Sequence, residues 1–562
     1  MRIAGEARPF RGGVVVLLTI VVMLPVALIV YQSLLDQAFF DPAAQLGLGA
    51  FDFIFTDPGF WQALLTTIIF AIGLVGVATP LGAAIAFLFT RTDLMGRRWL
   101  EPLVLVPMFV SSVVLAFGYT VAVGPTGFVS LWVKGLIGVV PWNIYGLGGM
   151  VVIGGLSHVP YVYLYLSSAM RNLPSDLEEA ARTAGAPVWR VAIDVTLPLV
   201  LPALVFSVAL CALLSFESFG LPLVLGDPSG VEVLTTYIYK LTALLGTPSY
   251  QLMAAVCVVL LVITLPLVWV QRRLLARGRR FAALGGKGAR AKPLPLGKAG
   301  QAVALIAVLL WLFVSVVLPV GGIALRAFVR NWGQGVNLID QLTTTNFVHL
   351  VEVEALLRGI INTVLLGVVG GAIAVGVYLL IALAGHRWSS RSGARLLDYL
   401  VLLPRALPGL VVGLAFFWVF LFVPFLRPIR TTLLSMLIAY MVVGLSYGLR
   451  LIQAALLQVA PELEESARAT GATIGQTWTG ILVPIIRPGL VGAWVLIMII
   501  FLREYSTGVY LMSAGTEVVG SLIVLLLASG EIDTIAALAL ISVVLTLGGL
   551  AVALRVGASV HD

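Results

Sequence analysis

From Gly12 to Leu35 the chain carries no charged residue, and from Val14 to Val30 it is apolar everywhere except at Thr19. Such a stretch has few ways to fold. Runs of about 18 or more apolar residues read as membrane-spanning helices, because a helix satisfies its own backbone hydrogen bonds in lipid. About twelve spans are expected, near 13–34, 60–90, 99–123, 147–170, 196–216, 250–271, 300–324, 356–385, 396–422, 433–457, 482–502 and 533–556. Only 11% of residues are charged, against about 25% in a soluble domain. That share is too small to build a water-facing surface. The strict alternation of a membrane barrel is absent. The first run is long and no small-residue cleavage site follows it, so it is expected to remain as a signal-anchor span. Cys211 and Cys257 lie inside apolar runs and read as packing residues.

Short loops rich in Lys and Arg face the cytoplasm. Arg2, Arg8 and Arg11 precede the first span. Arg91, Arg97 and Arg98 follow the second, Arg171, Arg182 and Arg190 the fourth, and Arg387, Arg391 and Arg395 the eighth. The count puts these loops and both termini on the cytoplasmic side. Arg427 and Arg430 fall on the opposite side and are the exception.

The segment 272–299, "RRLLARGRRFAALGGKGARAKPLPLGKA", holds nine Lys or Arg and no acid. Its Gly and Pro content reads as a flexible basic linker on the cytoplasmic side, attracted to anionic lipid headgroups. It divides the chain into a first half, 1–271, and a second half, 300–562, of about six spans each.

A repeat supports that division. "LEEAARTAGAPVWRVAIDVTLPLVLPAL" runs from Leu177 to Leu204, and "LEESARATGATIGQTWTGILVPIIRPGL" from Leu463 to Leu490. Glu179 matches Glu465, Arg182 Arg468, Gly185 Gly471, Pro198 Pro484 and Pro202 Pro488, each 286 residues apart. A weaker echo sets "LVLVPMF" at 103–109 beside "LVLLPRA" at 400–406. With an even number of spans in each half, the two repeats share one orientation, a parallel duplication.

The repeated stretch reads as a helix–turn–helix between spans. Ser175 and Glu178 form a capping-box pattern. Gly185 is placed to end the first helix in a left-handed conformation, and Pro187 suits the first turn of a second. Ala180, Ala181 and Ala184 permit close approach by another surface, and Glu179 adds one charge. A plain polar loop has no reason to keep this spacing over 28 residues, except through duplication history.

The spacing is Glu, two small residues, Gly six after the Glu and Pro nineteen after it. It resembles the EAA loop of bacterial binding-protein-dependent ABC importer permeases. Glu179, Ala180, Ala181 and Gly185 carry the first copy; Glu465, Ser466, Ala467 and Gly471 carry the second, where Ser466 departs from the usual alanine. Two copies in one chain resemble the fused permeases of the ferric-iron importer group, and "VPYVYLYLSSAM" at 159–170 is similar to that group. The resemblance implies an all-α integral membrane protein of the bacterial inner membrane. It would have two parallel six-helix repeats, each with a cytoplasmic coupling helix–turn–helix. It implies two ATPase subunits whose clefts receive the loops, with Glu179 and Glu465 pairing with a basic residue there. It also implies a periplasmic solute-binding protein, lipid around the spans, and no nucleic acid. The solute would be ferric iron, bare or as an anionic chelate; phosphonate or another oxyanion, thiamine and polyamine are the alternatives.

Charges within spans are costly and face a cavity or a partner. His158, Arg405, Arg450, Arg503, Glu504 and, at a span end, Glu217 are the pathway candidates. Structural salt bridges between helices are the competing reading. Arg503 and Glu504 are adjacent, roughly 100° apart if helical, and so are not expected to face each other. Arg405 has Met108 as its counterpart in the first half, and the asymmetry favours function.

No G-x-x-x-x-G-K-[ST] occurs; "GGKGA" and "LGKAG" lack the spacing and the hydroxyl. Four histidines show no zinc-ligand pattern. The chain is therefore expected to be a transport subunit and not an enzyme, with no cofactor or metal of its own and with ATP and magnesium on the partner ATPases. A secondary transporter driven by an ion gradient is the alternative class. It also shows repeats and midspan charges, but has no ATPase for such loops to engage.

Overall fold

The computed structural model describes residues 8–173, 176–243, 248–282, 293–333, 335–387 and 391–559. Every named element among them is helical. The principal helices are α1 (Arg8–Ser33), α2 (Pro58–Arg91), α3 (Ser112–Val123), α4 (Leu147–Arg171), α5 (Asp176–Thr183), α6 (Val188–Phe216), α7 (Tyr250–Ala282) and α8 (Gly297–Ala327). They continue with α9 (Glu354–Gly385), α10 (Arg391–Leu402), α11 (Gly409–Phe422), α12 (Leu433–Leu457), α13 (Pro461–Ala469), α14 (Ile474–Leu502), α15 (Val519–Ser529) and α16 (Ile532–Ser559). Among the described residues eleven helices are long and apolar enough to cross a membrane, or twelve if α10 and α11, bent by 108°, count as one.

Two compact units emerge. One gathers 1–51, 249–258 and 347–562; the other gathers 52–248 and 259–346. Each is built mainly from one sequence half but takes its first span from the other. In the former, α1 packs on α9, α10 and α11. Aromatic rings reinforce that seam: Phe39 lies 4.1 Å from Phe422, Phe40 stacks on Phe422 at 5.2 Å, and Tyr250 meets Trp418 at 6.0 Å. In the latter, α8 packs on α3, and the Tyr119 hydroxyl donates to the Val314 carbonyl at 2.9 Å.

The core of the 52–248 unit is the close pair α2 and α4, with α6 against both. A Cβ on Gly82 would lie 2.5 Å from Val162, so glycine sets the helix separation. In the 347–562 unit, α12, α14 and α9 form the corresponding core, and α16 packs on α14. One buried device recurs. The Thr67 hydroxyl of α2 accepts the Leu234 amide at 2.9 Å, and the Thr363 hydroxyl of α9 accepts the Val519 amide at 2.9 Å.

Several expectations shift. The span expected at 99–123 is broken into Arg97–Val104, Val106–Phe109 and α3. Pro102 and Pro107 remove ladder donors there. The expected linker is helical as far as Ala282, and Leu294 pairs with Thr92 near its other end; 283–292 lie outside the described residues. Helix α14 ends at Leu502, so Arg503 and Glu504 follow the helix and do not share it.

Candidate functional site

Helix α5 begins with Asp176, Glu178 and Glu179 and ends with Arg182, charges that suit the helix dipole at each end. Gly185 stops it at φ 89°. Its amide donates to Arg182 O at 2.8 Å, and the Ala186 amide donates to Ala181 O at 3.0 Å. Helix α13 ends alike: Gly471 stands at φ 91°, its amide reaches Arg468 O at 3.0 Å and the Ala472 amide reaches Ala467 O at 3.0 Å. Both are Schellman endings, which need a residue tolerant of left-handed backbone. Ser175, expected to cap α5, lies outside the described residues.

Glu178 does different work from that expected. It is buried, and its Oε1 accepts Arg91 Nε at 2.9 Å and the Thr196 hydroxyl at 2.6 Å. Arg91 also donates from Nη2 to the Leu173 carbonyl at 3.4 Å. The guanidinium at the end of α2 thus ties α5 to the chain entering it. In the second copy Glu464 is buried, and Arg387 donates from Nη1 to its carboxylate at 3.1 Å and from Nη2 to the Val459 carbonyl at 3.1 Å. Glu178 and Glu464, like Leu173 and Val459, are 286 residues apart. The clasp is the same.

Its construction differs. Leu482 occupies the position of Thr196, so one hydroxyl donor is missing. His386 Nε2, 2.9 Å from Glu464 Oε1, stands in its place, and Arg468 approaches Oε2 at 3.9 Å. Arg387 lies beyond the end of α9 and reaches Glu464 from φ 47°, the one left-handed non-glycine residue among those described. Arg11 of α1 donates to the His386 carbonyl at 3.1 Å.

With the inner glutamates fixed, the outer faces match residue by residue. Glu179 and Ala180 are exposed and Ala181 half-buried; Glu465 and Ser466 are exposed and Ala467 half-buried. Each helix therefore offers an exposed glutamate, Glu179 or Glu465, beside small side chains, with a second exposed acid, Asp176 or Glu462, one turn earlier. The inner clasp was missed in the sequence. Its signal was the doubled glutamate in "LEEAAR" and "LEESAR", of which only one member can face outward on a short helix.

The pathway candidates do not converge. His158 Nδ1 is 2.8 Å from Gly154 O in its own helix, and its ring lies 5.5 Å from Tyr161. Glu217 closes the end of α6, and Glu217, Arg450 and Arg503 are all engaged with neighbours. Glu504 caps the short helix Gly508–Leu511: its Oε1 accepts the Thr507 amide at 2.9 Å, the Thr507 hydroxyl at 3.0 Å and the Ser506 hydroxyl at 2.9 Å. A Cβ on Gly409 would lie 3.3 Å from Glu504 Oε1, so the start of α11 packs directly on this turn. Arg405 occupies the single turn Leu403–Ala406 between α10 and α11, with its guanidinium 5.5 Å from the Tyr447 ring. Arg427 and Arg430 are accommodated locally, Arg427 Nε on the Leu421 carbonyl at 2.8 Å and Arg430 over Phe417 at 5.7 Å. Among the described residues no group of three or more His, Cys, Asp or Glu is placed to hold a metal ion.

The family described as binding-protein-dependent transport system inner membrane component matches residues 76–280 and again 372–560. The chain belongs to that family. As a permease of this type it carries the family domain twice, in agreement with the duplication. The permease is 25% identical over 486 residues to the ferric transport system permease protein FbpB of Actinobacillus pleuropneumoniae, covering 84% of this chain and 68% of that one. It is 25% identical over 469 residues to the putative ferric transport system permease protein FbpB 1 of Haemophilus influenzae, covering 81% and 71%. Among solved structures, a bacterial ABC transporter that imports the acidic polysaccharide alginate matches 44% of this chain and 88% of its own at 20% identity, with a TM-score of 0.37.

Proposed function

We propose that this chain forms the membrane pathway of an ATP-driven importer, with both permease halves in one polypeptide. It lies in a bacterial inner membrane with both termini and the two clasped helices in the cytoplasm. The observation that carries the reading is the pair α5 and α13. The two lie 286 residues apart, end alike, are clasped alike, and present an exposed glutamate, Glu179 or Glu465, at the same position. On this reading Glu179 and Glu465 pair with basic residues of two ATPase subunits, which bind ATP and magnesium. Nucleotide-driven closure of those subunits moves both helices, and the clasps pass the motion to α2 and α9. A periplasmic binding protein supplies the solute.

For the solute, the names of the FbpB relatives favour ferric iron. Arg405 favours an anionic form of it, or another oxyanion, over bare ferric ion, thiamine or a polyamine. An ion-gradient transporter would leave α5 and α13 without a purpose.

The test is reconstitution of the permease with candidate ATPase subunits. Replacing Glu179 and Glu465 together by Ala removes two charge-assisted contacts worth roughly 1.5–3 kcal/mol each. ATPase recovery with the permease should collapse, or hydrolysis should continue without uptake of ferric citrate. Unaltered recovery and uptake in the double variant would remove the coupling role. Uptake abolished by an ion-gradient uncoupler while ATP persists would favour a secondary transporter.

A further inference from the structure

We propose that Arg405 binds an oxyanion group of the transported solute, of carboxylate, phosphate or sulfate type, at the break between α10 and α11. The inference rests on the importer reading and adds to it a residue and a ligand chemistry.

Three observations carry it. Arg405 stands where the apolar pair α10 and α11 bends by 108°, and a guanidinium within such a segment is costly unless it is paired or hydrated. Arg405 has little that offsets the cost. Its Nε is buried and makes no hydrogen bond, and it forms no ion pair with any carboxylate among the described residues. Glu504, which packs against the start of α11, spends Oε1 on Ser506 and Thr507. Tyr447 supplies a ring face at 5.5 Å. That contact is a cation–π attraction, which takes up none of the guanidinium's N–H donors.

The break itself does not require the charge. The first half breaks its corresponding span at Val104–Val106 and again before Ser112, with Met108 where Arg405 would stand. Two further arginines near the spans of this unit, Arg450 and Arg503, are engaged with neighbours. What remains is a guanidinium resting on an aromatic ring, with a donor fork that matches two oxygens of one planar or tetrahedral anion. A lysine would present a point charge without that fork.

A lipid phosphate offers the same chemistry as a solute, so the experiment separates the two. The full-length permease, alone and with its ATPase subunits, is placed in nanodiscs of pure phosphatidylcholine and in nanodiscs containing phosphatidylglycerol. Equilibrium binding of radiolabelled citrate, inorganic phosphate and, as a cationic control, thiamine is measured for wild type, R405M and R405K. The expected result is binding of citrate or phosphate by wild type in both lipids. That binding should be weakened roughly tenfold or more in R405M and intermediate in R405K, without a matching loss for thiamine. Protection of wild-type Arg405 from phenylglyoxal by the bound anion gives a reading that does not depend on how the variants fold. Equal anion binding by wild type and R405M overturns the proposal. So does no anion binding by wild type, or protection by phosphatidylglycerol alone, which would assign the site to lipid. Failure of the ATPase to co-purify bears on the importer reading and leaves anion binding to the permease alone measurable.

Discussion

Arg91 Nε lies 2.9 Å from Glu178 Oε1, with side chains only 2% and 5% exposed, across 87 residues of sequence. A buried pair of this kind adds little over an apolar substitute, but removing one partner strands the other at a cost of about 3–5 kcal/mol. R91M should therefore lower the unfolding temperature sharply and reduce recovery from membranes. The double variant R91M/E178M should regain much of the loss, because no charge is left buried. Thermal unfolding of purified single and double variants checks this; equal losses in all would contradict it.

The second clasp should be more forgiving. Arg387 pays for its left-handed backbone, about 1–2 kcal/mol for a residue with a Cβ, and His386 also bonds to Glu464. R387G removes the strain along with the guanidinium. It is expected to cost less stability than R91M, and less than R387A, measured in the same melts.

Gly185 and Gly471 test the backbone alone. No atom lies within 4 Å of a Cβ at either site, yet both stand near φ 90°. Valine at either position should cost at least about 1–2 kcal/mol and asparagine clearly less. A glycine-to-valine melt identical to wild type would show that α5 and α13 do not depend on these endings.

Glu517, in the loop before α15, provides a pH test. Burial acts to raise its pKa, but hydrogen bonds from Arg358 and from the backbone, including the Gly515 amide, outweigh it and hold the carboxyl below its ordinary range. A depressed pKa means stabilisation present above the unfolded value of about 4.3, and lost as pH falls through the folded one. The wild-type melt should thus fall as the medium is acidified below about pH 5. E517Q should be less stable near neutrality and should show a shallower acid limb. Parallel pH profiles for the two would exclude the contribution.

The spans were legible because lipid imposes a length on each apolar run, and the duplication because glycine and proline hold fixed places in it. Gly185 and Gly471 do what their spacing indicated. The clasp was not legible in the same way. Arg91 read as a loop charge and Glu178 as half of a capping box, since nothing local shows that the end of α2 reaches the start of α5. Arg503 and Glu504 were assigned to one helix. The cap that Glu504 makes on Thr507 depends on side-chain geometry that hydropathy does not register. The choice of packing partner for α1 likewise lies in surface shape, with Phe39 meeting Phe422, and not in the hydropathy of either segment.

Just after each short helix the chain makes a π turn, Val191–Thr196 in one half and Trp478–Leu482 in the other. Such a turn holds a residue beyond what the ordinary ladder uses. Pro198 and Pro484 follow at once and offer no N–H, so the carbonyls of Asp194 and Gly480 are not locked to them. The surplus residue is slack in the shaft. Passed along by one position, it turns the segment it crosses by roughly 100° without breaking the rod. Displacement of α5 or α13 can then enter the bilayer as a change in helical phase, delivered to α6 and α14 as torque rather than tilt.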